Sequence, residues 1–157
     1  MDKSKYECYI DLEGTQTPAG GTIPPSLTVT TLKPDIVIVN KKNKTVSIFE
    51  LTVPSEARIE TSNKIKLEKY EHFKQDIKNY EVSVIPFEIG SHTGHISRNN
   101  KTNLNKLHKF CKPDIKLKKF KDNISAITSL SSYYVFNCRN QPEWESSDPI
   151  SEPFLNQ

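Results

Sequence analysis

Apolar residues in this chain come in short blocks whose period changes along its length. Residues 6–12 predict a short strand, followed by the Gly-, Thr- and Pro-rich loop "EGTQTPAGGTIPPS". "LTVTTL" at 27–32 predicts another strand. Residues 36–39 and 46–51 are β-branched and apolar at consecutive positions, as in central strands covered on both faces. "NKKNK" between them signals a turn. Pro54 closes the second of these strands. A helix is expected over 56–78, with Ser55 as N-cap and Glu56 in its first turn. Ile59, Tyr70, Phe73 and Ile77 form its apolar stripe, with Leu67 on the shoulder.

"YEVSVIPFEIG" at 80–90 predicts a further strand, in which Pro86 implies a bulge or a sheet edge. "GSHTGHIS" is a loop. Leu104, Leu107 and Phe110 mark a helix ending near Cys111, Pro113 a break, and 115–139 a last helix. The pattern predicts one α/β domain over 1–140: a mixed central β-sheet flanked by helices, with C-terminal helices. The acidic, Pro-rich stretch 141–157 is expected to be disordered. The βαβ unit over 45–89 crosses over right-handed if its strands are parallel neighbours.

Length adds that 157 residues suffice for one unstapled core, whether the span is a whole protein or a piece of a larger one. The net charge of +3 is too small by itself to imply a nucleic-acid partner. Its distribution changes that picture. From Arg98 to Lys121 there are nine Lys or Arg against one acid, Asp114, while four acids and no base follow from Glu143. Such asymmetry marks either a polyanion-binding face or a merely solvated helix surface. Cys8, Cys111 and Cys138 are too few and too widely spaced for a zinc pattern or a disulfide framework, which favours a reducing, intracellular setting. No signal peptide and no apolar run near 18 residues is seen, so no membrane span is expected.

The candidate chemistry lies in the hairpin "KPDIVIVNKKNKTVSIFELTVPSEA". A turn centred between Lys42 and Asn43 places Val39 opposite Val46, Val37 opposite Ile48, and Asp35 opposite Glu50. Opposed residues share a face, with Cβ atoms about 4.5–5.5 Å apart, where like charges repel. A hard divalent cation removes that repulsion, because it takes carboxylate oxygens as ligands. Otherwise both acids sit in water at strand ends or pair with lysines. On a helical wheel Lys66 falls near the centre of the apolar stripe, while Lys64 and Lys69 fall off it. An inward lysine calls for an anion, unless it snorkels to the surface. Two carboxylates, a metal and a lysine are the parts that phosphodiester hydrolysis requires.

"KPDIVIV", "ELTVPSEARIE", "KIKLEKYEHF" and "VIPFEIGSHTGHI" together resemble the PD-(D/E)XK, or restriction-endonuclease-like, nuclease superfamily. Within it they are most similar to the endonuclease-like domain at the C-terminal end of many animal non-LTR retrotransposons. The similarity runs over about 9–139. Pro34-Asp35 stands as the "PD" and Glu50-Leu51-Thr52 stands where "(D/E)XK" belongs. The resemblance implies a restriction-endonuclease-like core and a DNA endonuclease in an intracellular, nuclear setting. It implies Mg2+ or Mn2+ held by Asp35, Glu50 and the Leu51 carbonyl. Thr52 replaces the motif lysine, and Lys66 in "KLEKY" matches the position where related nucleases carry it instead, with Lys69 as the fallback. Glu56 matches a recurring acid that assists the metal or the water; its plainer role is a first-turn acid favoured by the helix dipole. An inactive DNA-binding module on the same fold is the alternative.

Gly90 and Gly94 flank a loop that either approaches a phosphate or simply turns. His92 and His95 are set aside as ligands, His72 is expected on the surface, and His108 beside the basic face. Lys101, Lys106, Lys109, Lys112, Lys116, Lys118 and Lys119 are candidate contacts to the DNA backbone, giving affinity and salt dependence without sequence preference.

Overall fold

The structure, a computed structural model, describes residues 5–111 and 115–138. The expectations for Lys112, the break at Pro113 and the tail at 141–157 lie outside the described residues. Four strands, β1 (Tyr6–Ile10), β2 (Ile36–Asn40), β3 (Thr45–Thr52) and β4 (Glu81–Glu88), form one open sheet in the order β1-β2-β3-β4. β1, β2 and β3 pair antiparallel, and β4 runs parallel to β3. The chain is thus α/β with a mixed sheet flanked by helices.

The hairpin register is the expected one: Val39 faces Val46 and Val37 faces Ile48. Lys44, at φ 53°, takes the left-handed conformation that closes the turn. The strands are apolar on both sides because both sides are covered. On one face Val37, Val39, Val46, Ile48 and Val82 pack with Tyr70, Phe73 and Ile77. On the other, Ile38, Phe49, Ile85, Phe87 and Ile89 pack with Leu104 and Leu107 of α3 (Arg98–Cys111). Phe110 of α3, together with Phe120 and Ile124 of the longest helix, completes this second layer. Each fully buried residue of this size contributes about 1.5–3 kcal/mol.

Three expectations are corrected. Residues 27–32 form no strand: Leu27 and Leu32 pack onto the first core layer, whereas Val29 is 90% exposed, so the segment is pinned at its ends without a strand partner. The helix expected over 56–78 is a short 3-10 turn (Glu56–Arg58), then α1 (Ile59–Tyr70) and α2 (Phe73–Asp76). Ser55 makes no side-chain cap. All four stripe residues are buried nonetheless, because the turn after Tyr70 keeps Phe73 and Ile77 on the sheet. Pro86 marks an edge, since β4 ends the sheet.

The longest helix, α4 (Leu117–Cys138), is tied to the loop after β4. The Ser125 hydroxyl donates to the Gly94 carbonyl at 2.6 Å, and His108 of α3 holds the Ile115 carbonyl at 3.0 Å through Nε2. Gly94 has φ +65°, and a Cβ there would collide with the Ser125 backbone carbonyl and hydroxyl. Gly94→Ala is therefore expected to cost about 2–4 kcal/mol from a left-handed alanine plus overpacking. Thermal unfolding should record a fall of roughly 5–15 °C in Tm.

Candidate active site

α1 explains how a polar centre is built into a folded layer. Ile59, Asn63, Lys66 and Tyr70 recur at helical spacing and form the stripe that meets the sheet. Its two ends, Ile59 and Tyr70, are buried apolar anchors. Its middle is polar because the sheet beneath is polar there. Glu50 of β3 and Glu88 of β4 point up from the same face as Val46, Ile48 and Val82, which the alternation of strand side chains requires.

Glu50 is buried, its side chain only 4% exposed. Lys66 Nζ bonds Glu50 Oε1 directly, and Lys69 Nζ stands 4.0 Å from the same oxygen. Asp35, just before β2, is locked to this end of the hairpin from both sides. Its N–H donates to Glu50 Oε2 at 3.3 Å, and its Oδ2 accepts from the Leu51 N–H at 2.6 Å. Among the described residues nothing donates to its Oδ1. Burial pushes the Asp35 carboxyl above its ordinary range; the Leu51 hydrogen bond pulls it back, and the Glu50 charge pushes it up again. The Tyr70 hydroxyl is buried with no hydrogen-bond partner among the described residues, and burial together with the nearby Glu50 charge raises its pKa.

Asp35, Glu50 and Lys66 therefore converge as the sequence predicts, and Lys69 stands in the outer position of a fallback. The inward path of Lys66 replaces the alternative of a lysine snorkelling to solvent. Among the described residues no three of His, Cys, Asp and Glu form a group able to hold a metal, so any cation here rests on two acids and backbone or water oxygens. Thr52, where the resemblance expects a lysine, has its hydroxyl buried with no hydrogen-bond partner among the described residues.

Glu56 is corrected: it is not part of this pair. Its Oε1 accepts from the N–H groups of His92 and Thr93 at 3.2 and 2.9 Å and from the Thr93 hydroxyl at 2.9 Å, while Oε2 meets His92 Nδ1 at 2.9 Å. The parallel β3–β4 ladder sets Thr52 beside Glu88, so the segments that leave these strands meet, and an acid four residues on reaches the loop. A Cβ at Gly90 would lie 2.6 Å from Glu56 Oε1, so this glycine makes room for the carboxylate instead of approaching a phosphate.

The Thr93 hydrogen bond, then the His92 contact, lower the Glu56 pKa to about 2. A depressed acid stabilises the fold above its unfolded value of about 4.5, and that contribution is lost as the pH falls toward about 2. Melting curves between pH 5 and pH 2 should show a decline that is shallower in Glu56→Gln.

Two residues near the pair escape the sequence patterns: Asn63, whose Nδ2 donates to Glu88 Oε2 at 3.2 Å, and Glu88 itself, 1% exposed. The available signal was an acid at an inward position of a strand otherwise apolar at its C-terminal end. Lys101, Lys106 and Lys109 lie exposed on α3 opposite buried Leu104 and Leu107; Lys118 and Lys119 of α4, and Lys116 just before it, are also exposed. His72 is exposed, as expected, whereas His108 is partly buried with its ring edge-on to Phe120. No helix is long and apolar enough to cross a membrane among the described residues. Comparison with protein-family models, curated proteins and solved structures yields no match.

Proposed function

We propose that this chain is a metal-dependent DNA endonuclease with a restriction-endonuclease-like core, derived from the kind of domain that non-LTR retrotransposons carry, and that it works in the nucleus. The observation that supports this most is the meeting of Asp35 and Glu50 under Lys66 at one end of an apolar hairpin. The donor set fits a hard cation such as Mg2+ or Mn2+. Asp35 keeps one oxygen without a donor among the described residues, and the Leu51 N–H bond to its other oxygen sets it beside the residue whose carbonyl would complete the set. Asp35, Glu50 and that carbonyl would hold the ion, which supplies an activated water and draws charge off the phosphodiester.

The chain's own residues do the rest. Lys66 fixes Glu50 and brings positive charge to where the reacting phosphate gains negative charge. The Leu51 N–H holds Asp35 in one orientation. The lysines of α3 and α4 meet the DNA backbone. Supercoiled plasmid with Mg2+ or Mn2+ tests this: nicking by the native chain, lost in Asp35→Ala and Lys66→Ala, is the expected outcome. No nicking under either metal sinks it.

Two observations favour the second reading, a DNA-binding module without turnover. Glu50 already has a lysine partner, and Thr52 stands where the motif has another. Both readings share the basic helices. Lys101→Ala, Lys106→Ala and Lys109→Ala combined should flatten the dependence of log affinity on log salt by up to about 3, roughly 0.9 for each lysine–phosphate pair removed. Fluorescence anisotropy with a duplex at several salt concentrations measures it.

A further inference from the structure

The polar row beside the acid pair is unfinished. Glu88 and Asn100 are each 1% exposed. Asn100 Nδ2 donates to the Glu88 carbonyl at 2.8 Å, which fixes the orientation of the amide and leaves Asn100 Oδ1 as an acceptor. That oxygen and Glu88 Oε1 are both buried with no hydrogen-bond partner among the described residues. A buried acceptor left unmade is costly, so two in one place call for an explanation. Both residues line one cleft of about 420 Å3 at the open edge of β4, between α1 and the start of α3.

The floor of this cleft carries these two unmet acceptors; the Asn63 amide that also lines it is spent on the other Glu88 oxygen, and the Ser97 hydroxyl accepts from the Asn100 N–H. The rim is different: Lys64 and Arg98 stand against one acid, Glu60. A metal ion or a cationic side chain would satisfy the floor but meets repulsion at the rim. A neutral amino group attached to an anion satisfies both. We infer that the cleft is a nucleotide subsite, in which Glu88 Oε1 and Asn100 Oδ1 accept from the exocyclic amine of an adenine, cytosine or guanine and Lys64 and Arg98 face its phosphate. Thymine, which has no such amine and offers a single N3–H, meets at most one of the two acceptors. Asn63 and Lys66 are neighbours on the α1 stripe, so the Glu88 and Glu50 positions adjoin. The inference rests on the endonuclease reading only for the source of the nucleotide, a strand lying across both positions.

The test is calorimetric titration of the chain in EDTA with dAMP, dCMP, dGMP and dTMP. The three amino-bearing nucleotides should bind at least about fivefold more tightly than dTMP. Glu88→Gln, whose amide also offers donors, should erase that preference, and Arg98→Ala should weaken all four alike. Four equal affinities, or no binding, overturn the inference, as does a preference that survives in Glu88→Gln. Mg2+ alone raising the Tm of native chain and Asp35→Ala equally, but not of Glu88→Gln, overturns it in favour of a second cation site. If Glu88→Gln does not fold by circular dichroism, the dCMP-to-dTMP ratio of the native chain and the effect of Arg98→Ala, an exposed residue, still decide. No metal is present, so nicking does not enter. Base preference without nicking sinks the nuclease reading alone; nicking without base preference sinks only this inference.

Discussion

Asp35→Asn is expected to abolish metal-dependent nicking while raising the Tm of the metal-free protein. The two directions share one cause. Folding removes the Asp35 carboxyl from water and sets it against Glu50, so its ionised form is disfavoured and its pKa rises. For an acid shifted this way, the native state binds its proton more readily than the unfolded chain. Its ionisation therefore costs stability as the pH rises through the unfolded and then the folded value, and the cost stays constant above both. The amide is never ionised, so the variant escapes it, yet its oxygen still accepts from the Leu51 N–H. Melts of the two proteins in EDTA should coincide near pH 3 and separate toward pH 7, the variant higher. Added Mg2+ should stabilise the native chain alone. Nicking should fall by roughly a thousandfold or more, because an amide oxygen brings no charge to the ion. A variant of lower Tm at pH 7, or one that nicks normally, would separate Asp35 from this role.

Much of this arrangement was legible because two periods coincide. The β2–β3 register follows from the apolar residues: a slip by one residue would send Val37, Val39, Val46 and Ile48 out of their core layer, so only one pairing is tolerable. With that register set, Asp35 and Glu50 meet. The wheel placed Lys66 under the same logic, since Ile59 and Tyr70 fix which side of α1 looks down. The break after Tyr70 was not legible: no Gly or Pro marks it, and the Tyr70, Phe73 and Ile77 spacing suits an unbroken helix. Residues 27–32 misled because alternation reports which side chains are inward, not whether a strand partner is at hand. Glu56 and Glu88 depend on a long-range fact, the parallel pairing of β3 with β4, which brings the 52–56 and 88–93 segments side by side. An acid's own neighbours in sequence carry no trace of that.

Lys66→Ala should damage both stability and nicking, and a second substitution separates the two effects. Glu50 is nearly out of water, and removal of its main counter-charge leaves a buried carboxylate unpaired, a loss of about 3–5 kcal/mol when nothing compensates. Here Lys66 keeps about a quarter of its surface in solvent and Lys69 lies 4.0 Å from the same oxygen, so about 2–3 kcal/mol is the better expectation, a Tm fall of roughly 4–12 °C. Adding Glu50→Gln to Lys66→Ala removes the orphaned charge and should restore much of that stability. It cannot restore nicking, since the charge needed at the reacting phosphate and the carboxylate for the ion are both gone. Lys66→Arg gives the opposite test: it keeps a positive charge against Glu50, so stability should hold, while the longer, planar group displaces the charge from its place and nicking should drop by about tenfold to a hundredfold. If Lys66 were only a structural counter-ion, activity would follow stability between Lys66→Ala and Lys66→Arg and be full in the latter; the double variant, which lacks the Glu50 carboxylate, reports stability alone. Urea melts alongside plasmid nicking rates at matched folded concentration would show which of the two orders the molecule obeys.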